Sequence, residues 1–321
     1  MKRFGFILLL ISFGLVKAQQ VEDFSLVREN AFILNPAIAG TEGYVHGFGT
    51  FRKQFLQIQE SPYTAVLGAT GQIAAKHIGL GGYLIHDVTG PTGKSGASFA
   101  FAYNLPLQKK RSAHYTNGDV DNTLSFGVSI SVVQYRLEAS QLLLDNPGDP
   151  KLFSQNGFKI FPDASFGIYY QWRDNFFAGI SVPQIMGLNV NYRAADGTAE
   201  IKRVQQLNFL VGGKYAWARD KFSINPVAGL HWENGGPPQG EIGLRFNMYN
   251  IFWLGFDYKS VSYGVFEAGF NVKDVFTIAY AYDLSLAKYR PDVGASHEIS
   301  LGFNIIKSTR VWRGVGPALR F

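Results

Sequence analysis

There is no cysteine among the 321 residues, so disulfides, thiolate metal sites and a lipid-modified N-terminal cysteine are all excluded. Charge is sparse at 17%. No apolar run after the first eighteen residues approaches the roughly 18–20 that a membrane helix requires. The six histidines (His46, His77, His86, His114, His231, His297) are scattered and show no metal-ligand spacing. No Gly-x-Ser-x-Gly elbow and no Gly-x-x-x-x-Gly-Lys phosphate loop occurs. These absences argue against an enzyme, and no cofactor is expected.

The N-terminus sets an address. Met1-Lys2-Arg3 is a basic head, Phe4 to Val16 is an apolar run, and Val16-Lys17-Ala18 offers a small residue before Gln19. That layout predicts a secretory signal peptide over 1–18. Removing it takes away Lys2, Arg3 and Lys17 and leaves 27 basic against 24 acidic residues. The balance is too even to suggest nucleic acid as a partner. Glycine (36), Phe (27) and Tyr (16) are plentiful. A secreted, glycine- and aromatic-rich chain without a membrane helix fits a soluble β-protein or an outer-membrane barrel.

An arm over 19–43 contains apolar positions Phe24, Leu26, Val27, Ala31, Phe32 and Leu34. A short amphipathic helix is expected there, placed on the periplasmic side. Asn35-Pro36 ends it, because the residue before proline is pushed out of helical geometry. Gly40 then permits a turn into the first strand.

From Tyr44 onward the pattern predicts fourteen strands: 44–55, 63–73, 77–87, 95–105, 123–134, 162–172, 175–183, 204–217, 221–231, 239–248, 250–258, 261–271, 275–283 and 296–305. Most alternate with period two. Leu124, Phe126, Val128, Ile130 and Val132 share one face, against Ser125, Gly127, Ser129 and Ser131. Charges consistently fall on the small-residue face: Lys214, Glu241, Arg245, Asp257, Glu267, Asp283 and Glu298. A soluble sandwich would place Lys, Glu and Thr on its wet face. A face of Gly, Ser and Ala with scattered charge suits a crowded barrel interior, and the aromatic face then meets lipid. Five of six connections on one side are tight, as periplasmic turns are, and 106–122 is the exception. The expected fold is therefore all-β: an outer-membrane barrel over 44–306 in the cell outer membrane, with a C-terminal tail over 307–321. Asp87–Gly93 and Leu142–Asn156 read as external loops, and Lys109-Lys110-Arg111 as a basic run on a periplasmic turn.

An ordered set of segments carries a family resemblance. It comprises Asn35–Gly40, then Arg52 and Gln54, Gly79-Leu80-Gly81, Asp87, and Gly90-Pro91-Thr92. Leu124–Gly127, Asp163–Tyr170, Phe177–Pro183, Ala279–Asp283, Ser296–Leu301 and Leu319–Phe321 follow. This set resembles the PorP/SprF family of type IX secretion proteins of the Bacteroidetes, with Phe55 where members often carry tryptophan. The resemblance implies a non-enzymatic barrel that binds secretion or gliding machinery, or a large surface adhesin whose export or anchoring it supports. Periplasmic or peptidoglycan-associated proteins are further implied partners. The candidate partner-contact residues are Asn35, Pro36, Gly40, Arg52, Asp87, Gly90 and Pro91. The alternative is a passive outer-membrane channel or transporter for small or hydrophobic molecules.

Overall fold

The computed structural model describes residues 23–58, 60–73, 77–109, 120–138, 157–187, 190–194, 197–201, 205–261, 263–273, 275–286 and 294–305. The proposed signal peptide and tail, and the loop Leu142–Asn156, lie outside them.

Among the described residues, seventeen strands follow the arm. They begin with β1 (Val45–Lys53), β2 (Tyr63–Ile73), β3 (Ile78–Thr89), β4 (Thr92–Lys109), β5 (Val120–Leu137), β6 (Gly157–Trp172) and β7 (Phe176–Val182). Next come β8 (Val190–Ala194), β9 (Gly197–Ile201), β10 (Gln206–Gly213), β11 (Tyr215–Trp217) and β12 (Phe222–Glu233). The last are β13 (Gln239–Met248), β14 (Phe252–Lys259), β15 (Tyr263–Val272), β16 (Phe276–Ser285) and β17 (Ser296–Ile305). Fourteen of them close an antiparallel barrel. β1 pairs with β17 from Val45↔Ile305 to Lys53↔His297, and β10 pairs directly with β12. β11 continues β10 along β12, while β8 and β9 pair only with each other. Closure leaves no sheet edge within the membrane, where an unpaired peptide group has no water to bond. No helix among the described residues is long and apolar enough to cross a membrane.

The period-two reading of the faces holds. Phe126, Val128, Ile130 and Val132 point outward and are exposed, whereas Ser125 and Ser129 are buried inside. Ile299, Leu301, Phe303 and Ile305 face out, and Glu298, Ser300 and Asn304 face in. The outer face thus presents Phe, Leu, Ile and Val to lipid.

Two expectations about connections change. β3 and β4 run toward each other until only Gly90 and Pro91 separate them, so Asp87–Gly93 is a hairpin tip rather than a loop. Gly90 has φ +55°, which the tight turn requires. On the opposite end β4 and β5 extend past their neighbours, with irregular register at Pro106/Gln108 and Gln108/Lys109. The long connection expected at 106–122 is therefore partly strand. The connections 74–77, 173–175, 218–221, 249–251 and 273–275 make this the turn-bearing end, the periplasmic side of such barrels.

The arm differs most from expectation. From Asp23, where its described part begins, it is not the expected amphipathic helix on the periplasmic side. Helix α1 is a single turn, Ala31–Leu34, followed by a 3₁₀ turn at Pro36–Ile38. The described arm lies inside the barrel, where Phe24, Leu26, Val27, Phe32, Ala37, Ile38 and Ala39 are buried. Each large apolar side chain so buried contributes about 1.5–3 kcal/mol.

Leu67 sits at the middle of β2 and is 66% exposed on the outer face. Leu67→Arg is expected to destabilise the barrel by about 2–4 kcal/mol in lipid vesicles, read by denaturant titration. Folded protein should also migrate differently from boiled protein in a detergent gel.

Candidate functional site

The site is the lumen, and its central component is the plug formed by residues 23–42. The plug enters at the loop-bearing end, beside the ends of β1 and β14, and leaves at the turn-bearing end into β1. Two different walls hold it.

The first wall is charged and consists of β1 and β13–β17. At the outer end, the Glu298 carboxylate is fully buried. It accepts from Ser25 N at 2.6 Å, Leu26 N at 3.2 Å, Asn30 Nδ2 at 3.0 Å and Arg52 Nη1 at 3.1 Å. Arg52 also pairs with Asp283 at 2.8 Å and donates to Ser25 Oγ. Ser25 Oγ in turn donates to Asp283 Oδ2 at 2.6 Å. Lys259 Nζ pairs with Asp23 at 2.6 Å and donates to Phe24 O at 2.8 Å.

Deeper in the lumen, Arg28 lies 3.5 Å from Asp257 and 3.3 Å from Glu267, and donates to Asn225 O at 3.3 Å. Arg245 pairs with Glu267 and with Glu29, each at 2.8 Å. Charges removed from water are costly unless paired and hydrogen-bonded, and each cation here meets two carboxylates. Lys259 completes the pattern, with Glu241 3.8 Å away on its other side.

The second wall is made of glycine and belongs to β2–β7. A Cβ added at Gly79 would strike the Ala39 carbonyl, one at Gly127 the Ala37 nitrogen, and one at Gly167 the Asn35 side chain. The plug thus packs backbone against backbone. Asn35 caps the 3₁₀ turn, with Oδ1 accepting from Ala37 N at 2.9 Å. Its Nδ2 donates to Ile168 O at 3.1 Å and Ile180 O at 3.4 Å, on the paired strands β6 and β7. Gly40, at φ +67°, donates its N–H to Thr70 Oγ1 at 2.8 Å.

The residues singled out from sequence divide by place. Glu241, Arg245, Asp257, Glu267, Asp283 and Glu298 are buried lumen charges. Lys214 lies at the short break between β10 and β11, but both pair with β12 in one register and Tyr215 and Trp217 stay outside, so it keeps the phase of the inner face; it is half-buried at the turn-bearing end. Asn35, Pro36, Gly40 and Arg52 are buried within the barrel rather than on a contact surface. Asp87 is half-buried and accepts from Thr64 Oγ1 at 2.5 Å. Gly90 and Pro91 form the β3–β4 tip at the outer rim. Lys259 was not singled out from the sequence, one residue beyond the strand expected at 250–258, although it is in phase with Asp257. Arg28, Glu29, Asp23 and Ser25 carried no periodic signal, because the arm is neither helix nor strand over most of its length. His231 bonds Asn208 Oδ1 at 3.0 Å, and Asp257 is committed to Arg28. No cluster of metal-ligating side chains occurs among the described residues.

Arg52→Met leaves Asp283 and Glu298 without their shared cation. Loss of one buried partner typically costs about 3–5 kcal/mol. The plug is then expected to loosen, and trypsin to cut after Arg28, which is 2% exposed in the folded chain. Gly127→Leu should expose the same bond from the opposite wall.

Solved structures share the fold at low identity. The CymD monoaromatic hydrocarbon channel is 10% identical, with a TM-score of 0.51 over 87% of this chain and 93% of its own. A Pseudomonas aeruginosa FadL homologue is 9% identical, with a TM-score of 0.48 over 86% and 94%. The Acinetobacter baumannii outer membrane protein Omp33 is 7% identical, with a TM-score of 0.46 over 83% and 100%. These likenesses concern the fold alone. No curated protein matches the sequence. Residues 16–303 match the model of the type IX secretion system membrane protein PorP/SprF. With an outer-membrane barrel and a family match over most of its length, the chain belongs to the PorP/SprF family of type IX secretion membrane proteins.

Proposed function

We propose that this protein is a non-enzymatic scaffold of type IX secretion. In this reading it binds secretion or gliding machinery, or a large surface adhesin, and supports export or anchoring without passing cargo through its own lumen. The observation that carries the reading is the plug: residues 23–42 occupy the lumen and are held by ion pairs on one wall and by glycine packing on the other. A barrel filled with its own chain works through its rims. The β3–β4 tip with Asp87, Gly90 and Pro91 is the accessible member of the family segments at the outer rim. Asn35, Pro36, Gly40 and Arg52 support partner binding by holding the plug in place.

Deletion of the gene, followed by proteomics of medium and cell surface, is expected to remove at least one type IX substrate from its destination. Unchanged export and anchoring of every such substrate would sink the reading. The channel alternative predicts conductance. Purified wild-type barrel in planar bilayers is expected to be closed, and Arg52→Met to conduct intermittently; steady wild-type conductance would favour the channel.

A further inference from the structure

The outer end of β6 has a neighbour on one side only. β5 pairs with it along its full length, up to Leu137↔Gly157. β7 stops at Val182, opposite Phe166. Above that point Ile185 N donates to Ala164 O at 2.8 Å, and no described strand pairs with β6 over Gly157–Asp163 on this side. Backbone groups alternate in direction along a strand. Those of Phe158, Ile160 and Pro162, in phase with Ala164, therefore point to the open side. Pro162 fits there, since its missing N–H would break the ladder with β5 if it faced the other way. The open edge thus offers the N–H groups of Phe158 and Ile160 and the carbonyls of Phe158, Ile160 and Pro162.

Three further observations concern the same segment. A tilted strand crosses the bilayer in about 9–11 residues, so β6, counted from Trp172 at the turn-bearing end, leaves lipid near Pro162. Phe158 and Ile160 lie beyond that point and are 61% and 59% exposed. Their partners on the same face of β5 are already polar, Arg136 and Gln134. The edge is also stiff, because on the inner face Phe161 stacks on Tyr135 at 5.2 Å and packs with Val133 and Leu137. A preformed edge loses little conformational freedom when a strand is added to it. Lys159, between the two apolar residues, is exposed and has no ion pair among the described residues.

The geometry points to strand addition: this edge receives an extended segment of a surface protein, which joins the sheet beside β6. This deepens the scaffold reading and rests on it. The edge lies at the loop-bearing end, away from the periplasm, so its partner is the surface adhesin of that reading rather than periplasmic machinery. Main-chain hydrogen bonds supply the pairing, and side chains select the strand. The residues opposite Phe158 and Ile160 are apolar, and the one between them, opposite Lys159, is acidic.

The test uses the full chain in detergent and a fluorescein-labelled peptide, Thr-Val-Glu-Val-Thr, whose palindromic order suits either strand direction. Fluorescence anisotropy is the readout, and saturable binding is expected. A counterpart N-methylated at the three central residues, and one with Lys in place of Glu, should bind about tenfold more weakly or worse. Ile160→Pro removes an edge N–H without touching the β5 ladder and is expected to weaken binding about as much. Lys159→Glu should reverse the preference, so that the Lys peptide binds and the Glu peptide does not. Retained heat-dependent gel shifts show that both variants are folded. The proposal is overturned by no saturable binding, by equal binding of the N-methylated peptide, by unchanged affinity in folded Ile160→Pro, or by an unchanged preference in folded Lys159→Glu. It is also overturned if the peptide binds only a chain whose residues 188–203 are replaced by a Gly-Ser linker, since the β8–β9 pair is then the occupant. A wild-type dimer that Ile160→Pro makes monomeric overturns it as well, the occupant being a second copy. Failed peptide binding with secretion still dependent on the protein removes the edge site and leaves the scaffold; intact binding, reversed by Lys159→Glu, with secretion unaffected does the opposite.

Discussion

A single buried carboxylate ties the plug to the barrel. Glu298 accepts two backbone N–H groups, an amide and a guanidinium, and none of its surface reaches solvent. A carboxylate in that position is tolerable only when every lone pair is used and a cation is adjacent. Arg52 is that cation, and it is itself held by Asp283. Plug and wall are therefore mutually dependent. Without residues 25–30 the wall would hold unpaired charge, and without the wall the plug's first N–H groups would have no acceptor.

The rest of the lumen follows from the same constraint. A plug crossing a barrel of this size must approach some strands closely and stay clear of others. Where it is close, the wall is glycine and contact is made by the main chain, with Asn35 bridging to the carbonyls of two paired strands. Where it is further away, long side chains of alternating sign fill the gap. Coulombic attraction is strong in that low-dielectric space, but so is the cost of misplacement. The two walls thus give the plug one register.

The lumen geometry also directs attention to the rims. The interior is occupied by the chain's own residues, apart from cavities beside the plug. The outer rim presents the short β3–β4 tip and the open edge of β6.

Much of the architecture was legible in the sequence. The fourteen barrel strands and their facing were set by alternation, because lipid demands an apolar outer face while a crowded interior selects small or paired polar residues; the β8–β9 pair outside the barrel was not expected. Lys214 differs from the other charges only in depth, keeping the inner phase but lying half-buried at the turn-bearing end. The arm was not legible in this way. Asp23, Ser25, Arg28 and Glu29 lie in a stretch without regular period, and apart from Arg52 the partners named for them are more than 190 residues away in sequence. Local pattern can show that a segment is apolar and ends at Asn35-Pro36. Only closure of the barrel decides that the segment belongs inside, because only then do the glycine wall, the buried carboxylates and the plug's own backbone groups come within bonding distance.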